Sequence, residues 1–121
     1  MYKSNLPSSC PPSNVEQNDI ILYRLIVVGD IVESFKNHIE IFPENDSFKT
    51  ICKAYGLSFF DNLAQVEKLL EKENNQDKSI AKVTIKKDFG VIDKKPSKNG
   101  HYTLWLFDNF NPNEVIYELV S

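Results

Sequence analysis

A single guanidinium stands in the most apolar stretch of this chain. Arg24 is the only arginine among 14 basic residues, and it interrupts Ile20-Ile21-Leu22-Tyr23-Arg24-Leu25-Ile26-Val27-Val28. Arginine stays charged at any ordinary pH, and its planar fork matches the two oxygens of a carboxylate or phosphate. In a strand-forming run it points off the sheet into solvent, pairs with an acid such as Glu114 or Glu118, or holds an anion in a pocket. Lysine, asparagine and isoleucine are abundant, which indicates an A/T-biased coding sequence, so the position of Arg24 says more than its rarity.

Three further groups of residues have types that do chemistry. Gly56-Leu57-Ser58-Phe59-Phe60-Asp61 leads into a helical pattern. A glycine, a small hydroxyl and a helix start can offer N–H groups to an anion. The structural alternative makes Gly56 and Asp61 plain caps, with Asp61 filling the anion position. His101, beside Tyr102 and with Trp105 farther along, could line an aromatic pocket and move a proton. The alternative is a partly exposed histidine opening a strand. His38 reads as a residue near a helix end. Neither histidine has a partner at metal spacing, and no cofactor is expected.

The fourth group is basic. Residues 78–98 carry Lys78, Lys82, Lys86, Lys87, Lys94, Lys95 and Lys98 against two aspartates, whereas residues 1–77 carry five more acids than bases. With Phe89 interleaved, Lys82, Lys86, Lys87, Lys94 and Lys95 form a candidate phosphate-backbone surface. The bland reading is a hairpin that uses lysine to block edge pairing. The net charge of −3 and the lack of arginine there weigh against nucleic acid. No Walker loop, dinucleotide fingerprint, HExxH or nucleophile elbow is present.

These residues need a frame. At 121 residues, 41% apolar and 26% charged, the chain has the size and composition of one globular domain. Residues 1–18, rich in Ser, Pro and Asn, read as a flexible tail, and residues 19–121 as the domain. Cys10 lies in that tail and Cys52 in a semi-apolar run. They read as free thiols of a cytoplasmic protein. No stretch reaches the length of a membrane span or signal core.

Ile20–Val28 predicts a buried central strand, and Ile31–Glu40 a helix with Ile31, Val32, Phe35 and Ile39 on one face. Asp46 or Ser47 caps a second short helix that Gly56 ends. Leu57–Phe60 is a strand, and Asp61 caps a helix from Asn62 to about Lys72. Asn74–Asp77 is a polar linker. Ile80–Ile85, Phe89–Ile92, His101–Phe107 and Val115–Val120 follow as strands. Helices early and strands late predict an α+β fold, with a mixed, mostly antiparallel sheet and two or three helices on one face.

Two resemblances attach to these motifs. The strand Leu22-Tyr23-Arg24, then Gly56–Asp61 leading into a helix and on to Ile80–Ile85, resembles the ADP-ribosyltransferase-like fold. That resemblance implies NAD binding by Arg24 and Ser58, with Glu114 or Glu118 as the late glutamate. Residues 20–119 also resemble small uncharacterised bacterial single-domain proteins that share the Tyr23-Arg24-Leu25 strand, the Gly56–Phe60 segment and the strand His101–Trp105. This second resemblance implies a prokaryotic single domain and supplies no activity.

The reading that follows is a small soluble, non-catalytic interaction or ligand-binding domain of accessory, immunity or antitoxin type. Its expected partner is a protein or a small anionic ligand, with no membrane and no nucleic acid. An NAD or nucleotide-phosphate site on Arg24, Ser58 and His101, and a weak nucleic-acid surface on the lysines, are the alternatives.

Overall fold

The structure, a computed structural model, describes residues 1–73 and 77–120. Of the linker expected over residues 74–77, only Asp77 falls among them. Seven strands form one sheet: β1 (Val15–Glu16), β2 (Ile20–Val27), β3 (Leu57–Phe60), β4 (Lys78–Ile85), β5 (Gly90–Asp93), β6 (His101–Leu106) and β7 (Ile116–Leu119). Their order is β1-β5-β6-β3-β2-β4-β7, and every pairing is antiparallel. The fold is α+β, as expected, and β2 is an interior strand between β3 and β4, although only Leu22 and Ile26 of it are buried.

The sheet is curled. Phe89 N–H donates to the Lys86 carbonyl at 2.9 Å, closing a turn between β4 and β5. Such a turn spans under about 7 Å, and the two flanking residue steps add roughly 7 Å more. In a flat sheet, β4 and β5 would stand four spacings, or about 19 Å, apart. The sheet therefore bends so that its ends approach, and its concave face wraps a core of Leu22, Ile26, Phe35, Leu57, Phe59, Val83, Ile85, Phe89, Ile92, Leu104 and Leu106. Gly90 permits part of this, because a Cβ there would overlap the Trp105 backbone carbonyl on β6.

Among the described residues there are three α-helices: α1 (Ile31–Ser34), α2 (His38–Ile41) and α3 (Leu63–Lys72). The single helix expected over Ile31–Glu40 is broken. Asn37 caps α2 through a reciprocal box with Glu40, and its amide N–H donates to the Tyr55 carbonyl at 3.1 Å. The second short helix is a pair of 3-10 turns, Phe48–Thr50 and Cys52–Tyr55. Asn62, not Asp61, caps α3 by accepting from Gln65 N–H.

The helices are not all on one face. Phe35, at the end of α1, joins the concave core. Val66 of α3 and Ile80 of β4 are fully buried but lie outside that cluster. Ile80 and Ala81 are both wholly buried, and consecutive strand residues point to opposite faces, so both faces need cover. α3 packs on β2, β3 and β4 and supplies the second cover.

The expected flexible tail is fastened down. Cys10 and Cys52 form a disulfide, β1 pairs with β5, Lys3 N–H donates to the Leu106 carbonyl at 3.0 Å, and Tyr2 bridges to Phe107. Both cysteines are thus oxidised, and the free-thiol argument for a reducing cytoplasm falls away. Among the described residues no helix is long and apolar enough to cross a membrane.

The lysine hairpin does not form. β4 lies between β2 and β7, whereas β5 lies between β1 and β6. Lys82 is mid-strand and faces Glu118 at 4.0 Å. Lys86 and Lys87 belong to the turn before β5, and Lys94 and Lys95 follow its far end. The five lysines therefore do not share a ribbon. Local alternation predicted strands here but carried no information on their partners.

Candidate functional site

The central pairing of the sheet is split. β2 runs beside β4 through eight residue pairs, yet meets β3 only at Tyr23 opposite Phe60. An ordinary ladder would next set Leu25 opposite Ser58, but there the strands have parted. The result is a slot closed at Tyr23–Phe60, with buried Ser34 bonded to both backbone groups of Val27 at its other end. Val28 N–H donates to the Asp77 carbonyl on the β4 side, and Val27 N–H donates to the Ser34 hydroxyl at 2.8 Å. Peptide groups alternate between strand edges, so Leu25, like Val27 and Tyr23, turns its backbone toward the slot.

Arg24 fills the closed end. Its side chain leaves β2 on the concave face, between Leu22 and Ile26. The Nε and Nη2 groups donate to the Ser34 carbonyl at 3.1 and 3.0 Å, and Nη1 donates to the Ser58 carbonyl at 2.8 Å. The guanidinium carbon lies 5.4 Å from the Phe59 ring centre and 5.8 Å from that of Phe35. Three of five N–H donors are thus used, leaving one on Nη1 and one on Nη2.

The charge of Arg24 has no counterpart. Among the described residues, no carboxylate pairs with it. The structural alternative, pairing with Glu114 or Glu118, is not realised: Glu118 meets Lys82, and Glu114 accepts from Asn111 at 3.5 Å. Burial pushes the guanidinium down to about 10, so it remains charged at neutral pH. Carbonyl dipoles and aromatic faces replace part of its lost hydration.

The slot opens into a groove of about 490 Å³ lined by Arg24, Leu25, Leu57 and Ser58, by Lys36, Asn37, His38 and Ile41, and by Leu69, Lys72, Glu73 and Lys78. Four of its walls are cationic and one is anionic. Lys36 pairs with Glu33 at 3.2 Å and Lys78 with Glu73 at 3.5 Å, while Lys72 has no ion-pair partner among the described residues. Sequence reading missed Lys36 and Lys72 and placed Lys78 only in the basic stretch 78–98, because the three come from separate elements with no shared local pattern.

Ser58 joins this groove to His101. Its carbonyl faces Arg24, while its exposed hydroxyl stands 2.9 Å from His101 Nε2 on the opposite face of the sheet. The Ser97 hydroxyl donates to the His101 carbonyl at 3.1 Å, so its oxygen is free only to accept from Nδ1, 3.4 Å away. Nε2 is then the acceptor of the Ser58 proton. Burial pushes His101 below its usual range, Lys53 adds to this and Asp93 opposes it, so the ring is neutral at pH 7. Gly100, at φ +73, makes the turn before it, and a side chain there would overlap Asp61.

The five residues expected to form one pocket therefore divide. Arg24 and Ser58 line the groove. His101 touches Ser58 from behind and does not line it. Trp105 is 1% exposed, and its indole N–H donates to the Cys52 carbonyl at 3.1 Å, so it is a core residue. Tyr102 alternates to the other face of β6 and packs against the concave core. Among the described residues, no group of three or more His, Cys, Asp and Glu gathers at metal-binding distance.

No protein family, no curated protein and no solved structure matches this chain.

Proposed function

We propose that this protein is a ligand-binding domain whose β2–β3 groove takes an anionic ligand on Arg24. The single observation behind this reading is the half-buried guanidinium, held by neutral carbonyls, with two N–H donors to spare and, among the described residues, no acid paired to it. Burying a charge without a partner is costly, and an incoming carboxylate or phosphate offsets that cost. Lys36, Lys72 and Lys78 raise the local anion concentration at the mouth. A nucleotide phosphate, as in the NAD reading, is a second source of the same chemistry at Arg24, although the Ser58 hydroxyl faces His101 and only its carbonyl meets Arg24. A cytoplasmic setting fits only if the Cys10–Cys52 bridge is dispensable for folding, because cytosolic thiols are kept reduced.

The test is thermal unfolding with millimolar citrate, pyrophosphate, inorganic phosphate and NAD at matched ionic strength. A ligand that binds only the native state at 100 times its Kd adds about 2.7 kcal/mol. A rise of several degrees with at least one of these anions, absent in Arg24→Met, is expected. Equal melting temperatures in all of them would refute the proposal.

A further inference from the structure

One edge of the sheet is left open. β1 and β7 stand at its two ends. β1 is two residues long, and its segment is tied down by the Lys94 N–H bond to the Asn14 carbonyl and by the Cys10–Cys52 bridge. β7 pairs with β4 in an unbroken register on one side and with no described strand on the other. All four of its residues, Ile116–Leu119, are exposed, so the apolar side chains on both its faces lack cover. Proteins usually blunt such an edge with lysine, proline or a bulge. Val115–Val120 holds neither lysine nor proline, and Glu118 is its one charge.

The backbone of this edge is unoccupied, unlike that of the slot. Val120 N–H donates to the Ile80 carbonyl at 2.9 Å, so Val120, Glu118 and Ile116 turn toward β4. By alternation Val115, Tyr117 and Leu119 turn outward. Among the described residues, nothing beyond β4 bonds the N–H or carbonyl of Tyr117 and Leu119, and the Val115 carbonyl is equally open.

We propose that β7 pairs with β7 of a second copy of this chain, antiparallel about a two-fold axis through Tyr117. Outward groups must face outward groups, which restricts the register. With Tyr117 opposite the partner's Tyr117, Leu119 meets the partner's Val115, Ile116 meets the partner's Glu118, and Glu114 meets the partner's Val120. No two acids then oppose each other. Sliding by two residues sets Glu118 against the partner's Glu118 in one direction and the partner's Glu114 in the other, and like charges directly opposed are destabilising. The strand is therefore complementary to itself in one register, which favours a second copy over an unrelated strand. Tyr117 N–H and carbonyl bond reciprocally across the axis, and on each side Leu119 N–H donates to the partner's Val115 carbonyl. On the core side of the sheet, Leu119 and the paired Tyr117 side chains extend the rows begun by Ala81 and Val83. One such edge per molecule closes the assembly at a dimer. So short a contact lies at the small end of specific interfaces, and the dimer should exchange with monomer at micromolar concentrations. The pairing is independent of the anion site at Arg24.

The experiment is sedimentation velocity of the full chain from low micromolar to millimolar concentration, with amide exchange measured at both ends of that range. A shift from monomer to dimer is expected. Tyr117 and Leu119 amides should exchange several-fold more slowly in the concentrated sample, while those of β1, the other edge, keep their rates. Tyr117→Lys puts two ammonium groups on the axis, and Leu119→Lys puts one against Val115. Both positions are exposed, so each variant should keep its melting temperature within a few degrees and weaken the dimer about tenfold or more. A chain that stays monomeric throughout, a dimer indifferent to both substitutions, or assembly that continues past the dimer would overturn the proposal. Should Tyr117→Lys fail to fold, Leu119→Lys and the amide pattern of the unaltered chain still decide it.

Discussion

Arg24 is held by acceptors that carry no charge, and this separates its structural role from its proposed one. Removing it strands the carbonyl of buried Ser34, at about 1–3 kcal/mol for an unsatisfied buried group, whereas the exposed Ser58 carbonyl turns to water. The same change also relieves the desolvation of the cation, and apolar replacement of buried charge is often neutral. Arg24→Met is therefore expected to stay within about 2 kcal/mol of the parent in urea unfolding while losing every anion-induced shift. A collapse of the fold would show that the three carbonyl bonds are its main purpose. His101 gives a pH signature. Its folded pKa lies below its ordinary value of 6.5. Between those two values the unfolded chain binds the proton and the native state does not, so stability falls as pH drops through 6.5 and levels off below the folded pKa. His101→Asn should flatten that slope in chemical denaturation at pH 5 to 8. An unchanged slope would assign it to other groups.

Elements were legible in the sequence where periodicity carried them, and illegible where partnership decided. The apolar run at β2 and the stripe of α3 announced themselves. The break between α1 and α2 did not, because it depends on Asn37 reaching the Tyr55 carbonyl, 18 residues away. The N-terminal segment read as a tail because its anchors are backbone bonds, which leave no hydrophobic pattern. The Cys10–Cys52 bridge was missed for the same reason. It closes a loop of 42 residues, and for such a loop the chain-entropy account gives about 4 kcal/mol. Reduction should lower the melting temperature by several degrees and speed amide exchange in β1 and β5 before the core strands. A reduced protein that melts like the oxidised one would mean that β1 and the Lys3 bond hold the segment alone.

At the scale of the whole molecule, one curled sheet generates both core and site. Curling brings β4 and β5 together and wraps the concave face around Phe35, while the central pairing of β2 and β3 gives way and opens the slot. The sequence showed Arg24 and Ser58 as separate leads. Their contact through Nη1 and a backbone carbonyl is a property of the split, and no spacing rule encodes it. His101 came within one bond of the groove but on the far face, because cross-strand neighbours on β3 and β6 sort by alternation. Of the lysine-rich stretch 78–98 only Lys78, at the start of β4, enters the site, joined there by Lys36 after α1 and Lys72 at the end of α3.

Because the chain has one arginine, its Nε–H gives a single side-chain resonance in a nitrogen-15 correlation spectrum, a direct reporter on the closed end of the slot. Titrating the full chain with citrate or pyrophosphate at matched ionic strength should move that one resonance along a saturable curve, with Leu25 and Ser58 amides following the same curve. A resonance that stays fixed, or drifts linearly with added salt, would contradict the assignment of Arg24 as the anion-binding residue.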